Sequence, residues 1–159
     1  MSDKNPKRGI YLLPNLITTG ALFAGFYAIV AAMNGHTFAG GAMLALAHDM
    51  RVMRSDRGFF CLPEVDLGMP FTAGMSALIA AKLTQPALHR AAVLGERLPG
   101  SVALELGVVD GLAADADVRS EAMTSASNLA AKAGTTIAGL RGGFYQSAID
   151  ALRTRPFPD

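Results

Sequence analysis

Apolar residues fall in short runs broken by glycine, proline and charge, and one run is set apart by its length. From Ile10 to Met33 there are 24 residues without a charge. Pro14 suits a first helical turn, where a missing N–H is harmless. A helix from Asn15 to Met33 would be about 28 Å long, near the roughly 30 Å hydrocarbon core of a bilayer. Three readings compete: a membrane span, a buried core segment packed through Gly20 and Gly25 (with its end as a buried strand), and a signal peptide. The last is disfavoured because no small-x-small cleavage site follows.

The pattern changes after Met33. Asn34-Gly35-His36 is a turn signal. Ala42 to Ala47 is an apolar helical run. Val52-Met53 and Phe59 to Leu62 read as strands, the second stopped by Pro63. A helix is predicted from Thr72 to Lys82. Another begins near Pro86 and is ended by Gly95. After the Pro99-Gly100 turn, Ser101 is a candidate N-cap for a short helix ended by Gly107. Val108-Val109 reads as a strand and Asp110 to Asp115 as a loop. Asp117 could cap a helix reaching Lys132, and a last helix is predicted from Gly143 to Arg153. Strands alternating with helices predict an α/β fold.

Composition sharpens this picture. The chain has 159 residues, enough for one domain; 51% are hydrophobic and 17% charged. Mean hydropathy is +0.32, which is apolar for a water-soluble chain. The net charge of +1 and the absence of tryptophan give no footing for nucleic acid. Lys4, Lys7 and Arg8 before the apolar run predict a cytoplasmic N-terminus if the run spans a membrane. The expected location is therefore cytoplasmic, or inner-membrane-associated through residues 10–33. The single Cys61 excludes an internal disulfide. His36, His48 and His89 lack metal-ligand spacing, so no metal is expected.

Two stretches resemble known families. KRGIYLLPNLITTGALFAGFYAIVAAMNG is similar to the start of bacterial phosphatidylserine synthases, over residues 7–35. That family's metal-binding aspartate motif is missing: Asp110-Gly111-Leu112-Ala113-Ala114-Asp115 has Asp115 where an arginine should stand. Phosphatidyl transfer is therefore not expected. NGHTFAGGAMLALAHDMRVMRSDRGFFCLPEVDLGMP, followed by LGERLPGSVALELGVVD, resembles the crotonase superfamily, nearest the enoyl-CoA delta isomerases. This likeness runs from Asn34 to the C-terminus. Together the two imply a chimera joined between residues 28 and 36. Residues 1–33 would form a basic, apolar-helix segment, and residues 34–159 a truncated crotonase-like (ClpP/crotonase) spiral core with C-terminal helices.

The crotonase resemblance implies a reaction. An acyl-CoA thioester forms an enolate, whose oxygen needs backbone N–H donors. Ala39-Gly40-Gly41 opening a helix supplies them, and Gly40 matches the family's oxyanion donor. Glu64 matches the catalytic glutamate that carries a proton from C2 to C4. Phe38, Ala39, Gly41 and Pro63 would line the substrate. Met43 stands where hydratases carry a second glutamate, so a double-bond shift from 3-enoyl to 2-enoyl is favoured over hydration. No cofactor is implied beyond the coenzyme A thioester substrate. His89, Arg90, Arg97 and Arg119 are candidates for CoA phosphates, with solvated surface roles as the alternative. The resemblance also implies homo-oligomers, trimers in this family. Against the family's full length, the N-terminal half with its adenine pocket and second oxyanion donor is replaced, which predicts impaired activity. The rival expectation is a non-catalytic, membrane-anchored or self-associating α/β module.

Overall fold

The computed structural model describes residues 37–154. Expectations about residues 1–36, including the apolar helix and the Asn34–His36 turn, lie outside the described residues. The elements run β1 (Thr37–Phe38), α1 (Ala39–Leu46), β2 (Val52–Arg54), β3 (Phe59–Cys61), α2 (Glu64–Leu67), α3 (Ala73–Lys82) and α4 (Gln85–Leu88). A π-helical turn (His89–Val93) continues α4. Then follow β4 (Leu98–Pro99), α5 (Gly100–Glu105), β5 (Gly111–Ala113), a 3₁₀ turn (Asp115–Asp117), α6 (Val118–Ala130) and α7 (Thr135–Arg153).

The strands form two small sheets. In one, β1 and β3 are parallel, with Thr37 opposite Phe60 and Phe38 opposite Cys61. β4 adds antiparallel to β3, with Phe60 opposite Leu98. In the other, β2 and β5 are parallel, with Val52 opposite Gly111. All three residues of β2 are buried, as befits a parallel strand covered on both faces. Leu46, Met53, Leu62, Leu98 and Val108 are at the centre of the core.

Local chemistry explains most boundaries. The Thr72 hydroxyl accepts from Met75 N at 3.3 Å and opens α3. Thr84 accepts from Ala87 N at 3.3 Å and opens α4, with Pro86 in the first turn. The helix expected to begin at Ser101 starts at Gly100 instead, and Pro99 is its N-cap. A β-carbon on Gly100 would stand 3.0 Å from the Arg54 carbonyl oxygen, so α5 closes directly onto the end of β2.

Three other expectations need correction. The strand foreseen at Val108-Val109 lies at Gly111–Ala113, in the stretch read as a loop. Val108 and Val109 are buried core residues. The ladder begins later because Arg51 fixes the approach: its amide donates to Asp110 Oδ2 at 2.7 Å, and its carbonyl accepts from Asp110 N at 2.7 Å. The helix expected to reach Lys132 ends at Ala130. The last helix begins at Thr135, eight residues before Gly143. Packing on α3 outweighs the poor helix propensity of Gly139, Gly142 and Gly143.

Candidate active site

Two helices begin where two neighbouring strands end. β1 passes directly into α1 at Ala39, and β3 reaches α2 through Leu62 and Pro63. Because Phe38 is opposite Cys61 in a parallel pair, the starts of both helices lie along one edge of the sheet. Adjacent strands are about 4.8 Å apart. The structure therefore places Gly40 and Glu64 at the carboxyl ends of adjacent parallel strands, where open α/β sheets hold ligands.

The α1 side offers amides. The first N–H groups of a helix have no intrahelical acceptor. Phe38 is the N-cap and gives no side-chain hydrogen bond. Ala39 has φ +39°, in the left-handed region that non-glycine residues seldom enter. Such strain collects at functional turns. Among the described residues, a β-carbon on Gly40 would meet nothing within 4 Å, and one on Gly41 would lie 3.9 Å from Thr37 Cγ2. Phe38, Gly40 and Gly41 are exposed.

The α2 side offers a carboxylate. Pro63 is the N-cap of this single turn. Glu64 is only 4% exposed, and its Oε2 has no hydrogen-bond partner among the described residues. A buried carboxylate oxygen without a partner is costly, and such atoms concentrate where chemistry is done. Glu64–Leu67 forms one helical turn. Asp66 is exposed, so the two carboxylates do not share a face. Burial pushes the Cys61 thiol up; Arg97 opposes this, and Asp66 and Glu64 reinforce it. Cys61 is thus a buried, protonated packing residue. Met43 is partly buried against the core and places no charge beside the glycine turn.

The candidate phosphate contacts divide. Arg90 is paired to Glu96, with Nε to Oε2 at 2.7 Å. Arg97 has its guanidinium carbon 5.2 Å from the centre of the Phe59 ring. His89 and Arg119 are exposed. Among the described residues no cluster of three His, Cys, Asp or Glu could hold a metal ion, and no helix is long and apolar enough to cross a membrane. Sequence reasoning missed the buried arginines Arg51 and Arg54. Arg54 is held by Asp56 at 2.7 and 2.6 Å and by Asp115 at 2.8 Å. They lie in the charged stretch HDMRVMRSDR, where nothing in the sequence pattern separates a buried arginine from a solvated one.

Comparison with known proteins identifies the fold and the family. The chain has the crotonase-like α/β fold. An enoyl-CoA hydratase structure from Mycobacterium ulcerans aligns with a TM-score of 0.70 at 23% identity, covering 96% of this chain and 67% of that one. An enoyl-CoA hydratase/isomerase family protein from Pseudomonas syringae aligns with a TM-score of 0.66 at 22% identity, covering 92% and 67%. A family model described as enoyl-CoA hydratase/isomerase matches residues 13–155, and the chain belongs to that family.

Curated relatives include the peroxisomal enoyl-CoA delta isomerase 2 of Arabidopsis thaliana, 38% identical over 80% of this chain and 56% of that protein. Enoyl-CoA delta isomerase 3 of the same plant is 45% identical over 54% of this chain and 37% of its own length. A carnitinyl-CoA dehydratase of Escherichia coli is 36% identical over 71% and 43%. The chain thus spans about half the length, or less, of these relatives. The family match starts at residue 13, inside the segment likened to phosphatidylserine synthases. A chimera joined near residues 28–36 therefore has no support. Members of this family need no cofactor, and their substrate is the CoA thioester.

Proposed function

We propose that this chain carries the isomerising half-site of an enoyl-CoA isomerase acting on fatty acyl-CoA thioesters. The observation that carries the reading is the buried carboxylate of Glu64, whose Oε2 has no partner among the described residues, just beyond the strand next to the one that leads into the glycine turn opening α1. The Glu64 carboxylate removes a proton from C2 of a 3-enoyl thioester. Electrons move into the carbonyl, and the resulting oxyanion is held by the Gly40 amide at the positive end of α1. The protonated Glu64 then returns its proton to C4, and the double bond comes to rest between C2 and C3. One group gives and takes the same proton, so no second acid is needed.

Met43 supports isomerisation over water addition, because a thioether cannot activate water. Phe38, Ala39, Gly41 and Pro63 frame the entry. Self-association belongs to the same reading. Ile137, Leu140 and Phe144 lie at helical spacing along α7, and Phe144 is 80% exposed. Sedimentation should then show a species larger than one chain.

The test is conversion of 3-enoyl-CoA to 2-enoyl-CoA by the full chain and by Glu64→Gln. Loss of the base should lower kcat by about 10²–10⁴-fold with little change in KM. Equal rates for the two proteins would sink the proposal.

A further inference from the structure

The helical segment after α3 changes pitch midway. Gln85–Leu88 is α-helical and His89–Val93 is π-helical. Such widened turns recur at functional sites. Here the widening delivers a sharp reversal. Leu94 N donates to the His89 carbonyl at 3.0 Å, and Glu96 N donates to the Arg90 carbonyl at 2.9 Å. Gly95 lies between them at φ +64°. Arg90 and Glu96 join side chains across the reversal, with Nε to Oε2 at 2.7 Å.

Gly95 touches the strand and helix that flank Glu64. Its carbonyl accepts the Cys61 thiol at 3.5 Å, at the end of β3. Its other side faces α2: a β-carbon there would be 2.7 Å from Val65 Cγ1 and 3.4 Å from Asp66 Oδ2. Cys61 precedes the segment Leu62-Pro63-Glu64 and Val65 follows it. The helix that carries Glu64 is a single turn without a side-chain cap. So short a helix cannot hold its own orientation and takes it from what it packs against.

We infer that Gly95, clasped by the Arg90–Glu96 pair, is a positioning residue that sets where the Glu64 carboxylate stands. The inference rests on the proton-shuttle reading above. Gly95 does not touch substrate; it acts through Val65 and the orientation of α2. Only glycine leaves both the left-handed turn and the space that Val65 occupies.

The test combines kinetics and crystallography of the full chain. The proteins are wild type, Glu64→Gln, Gly95→Ala, Glu96→Gln and the double variant Gly95→Ala/Val65→Ala. Gly95→Ala should lower kcat by roughly ten- to hundredfold, the scale of an ångström-sized misplacement. KM should stay within about twofold of wild type, since ground-state binding is not touched. Glu96→Gln keeps the Gly95 contacts and loosens the clasp, so its kcat should fall by no more than about fivefold. In the double variant the loss of Cγ1 makes room for the new methyl, and most of kcat should return.

Crystal structures should show the Glu64 carboxylate displaced in Gly95→Ala and restored in the double variant. A carboxylate that stays in place overturns the inference whatever the rates. So does a loss confined to KM, or one that Val65→Ala fails to relieve. Equal turnover by wild type and Glu64→Gln overturns the proton-shuttle reading and removes the catalytic meaning of Gly95, a result distinct from an unmoved carboxylate.

Discussion

Gly74 of α3 and Leu152 of α7 meet at a crossing with no room for a side chain. A methyl group on Gly74 would stand 2.9 Å from the Leu152 Cα and 3.1 Å from the Ala151 carbonyl oxygen. Two further contacts fasten α7 nearby. The Lys82 ammonium is 4.4 Å from the centre of the Tyr145 ring, and Arg141 Nη1 is 3.0 Å from Asp49 Oδ2. Gly74→Ala is therefore expected to destabilise the protein by about 1–3 kcal/mol, the usual cost of overpacking. Guanidinium unfolding measures it, and an unchanged midpoint would show that the helices can part freely.

His48 introduces a pH dependence of stability. Burial pushes its imidazole below the ordinary 6.5, as do the charges of Lys82 and Arg51; the Leu44 carbonyl and Asp49 oppose them. As pH falls, the unfolded chain takes up this proton before the native protein does. The native state therefore loses stability from just above pH 6.5 downward, and the loss stops once native His48 is also protonated. Replacing His48 with Gln should flatten that limb. Unfolding midpoints collected between about pH 5 and 8 check this, and parallel curves for the two proteins would refute it.

Asp56 predicts a separate limb in acid. The Arg54 guanidinium, hydrogen-bonded to it, holds its carboxyl down at about 2. The pair contributes its stability fully above the unfolded carboxylate value of 3.8, and the contribution fades as pH drops toward 2. Asp56→Asn should lower the unfolding midpoint at neutral pH and leave a shallower acid slope. A slope identical to wild type would assign the acid sensitivity elsewhere.

Met43 is packed against the core within α1. On the proposed reading, Met43→Glu supplies a second carboxylate beside the glycine turn. Water addition to a 2-enoyl thioester should then rise toward the lower end of the roughly 10²–10⁴-fold that a placed base contributes. Absorbance loss at the conjugated thioester band follows the reaction. A variant that folds but adds no water would mean that position 43 does not face the reacting carbons.

The elements that could be read in advance were those fixed by their own residues. Thr72 begins its helix through a local hydrogen bond, and Pro63 stops a strand because it lacks a donor. What could not be read depended on distant partners. Val108 and Val109 have strand-like chemistry, yet Arg51 holds the neighbouring Asp110 so that pairing begins at Gly111. The start of α7 is concealed by glycines that only packing against α3 makes helical. Gly40 and Glu64 came from family likeness, since neither spacing nor periodicity links residues that far apart. Their juxtaposition depends on the parallel register of two very short strands. The π-helical turn left no trace, because its apolar spacing is that of an ordinary helix end.

The left-handed backbone at Ala39 has a thermal consequence. An alanine relaxes from that conformation whenever its neighbours permit, so the turn stays loaded only while β1 remains paired to β3 on one side and α1 stays seated on the other. Warming that frees a two-residue strand would let Ala39 fall back to a commoner geometry and swing the next amide out of line. On the proposed reading, turnover should then fall before the global unfolding transition and return on cooling.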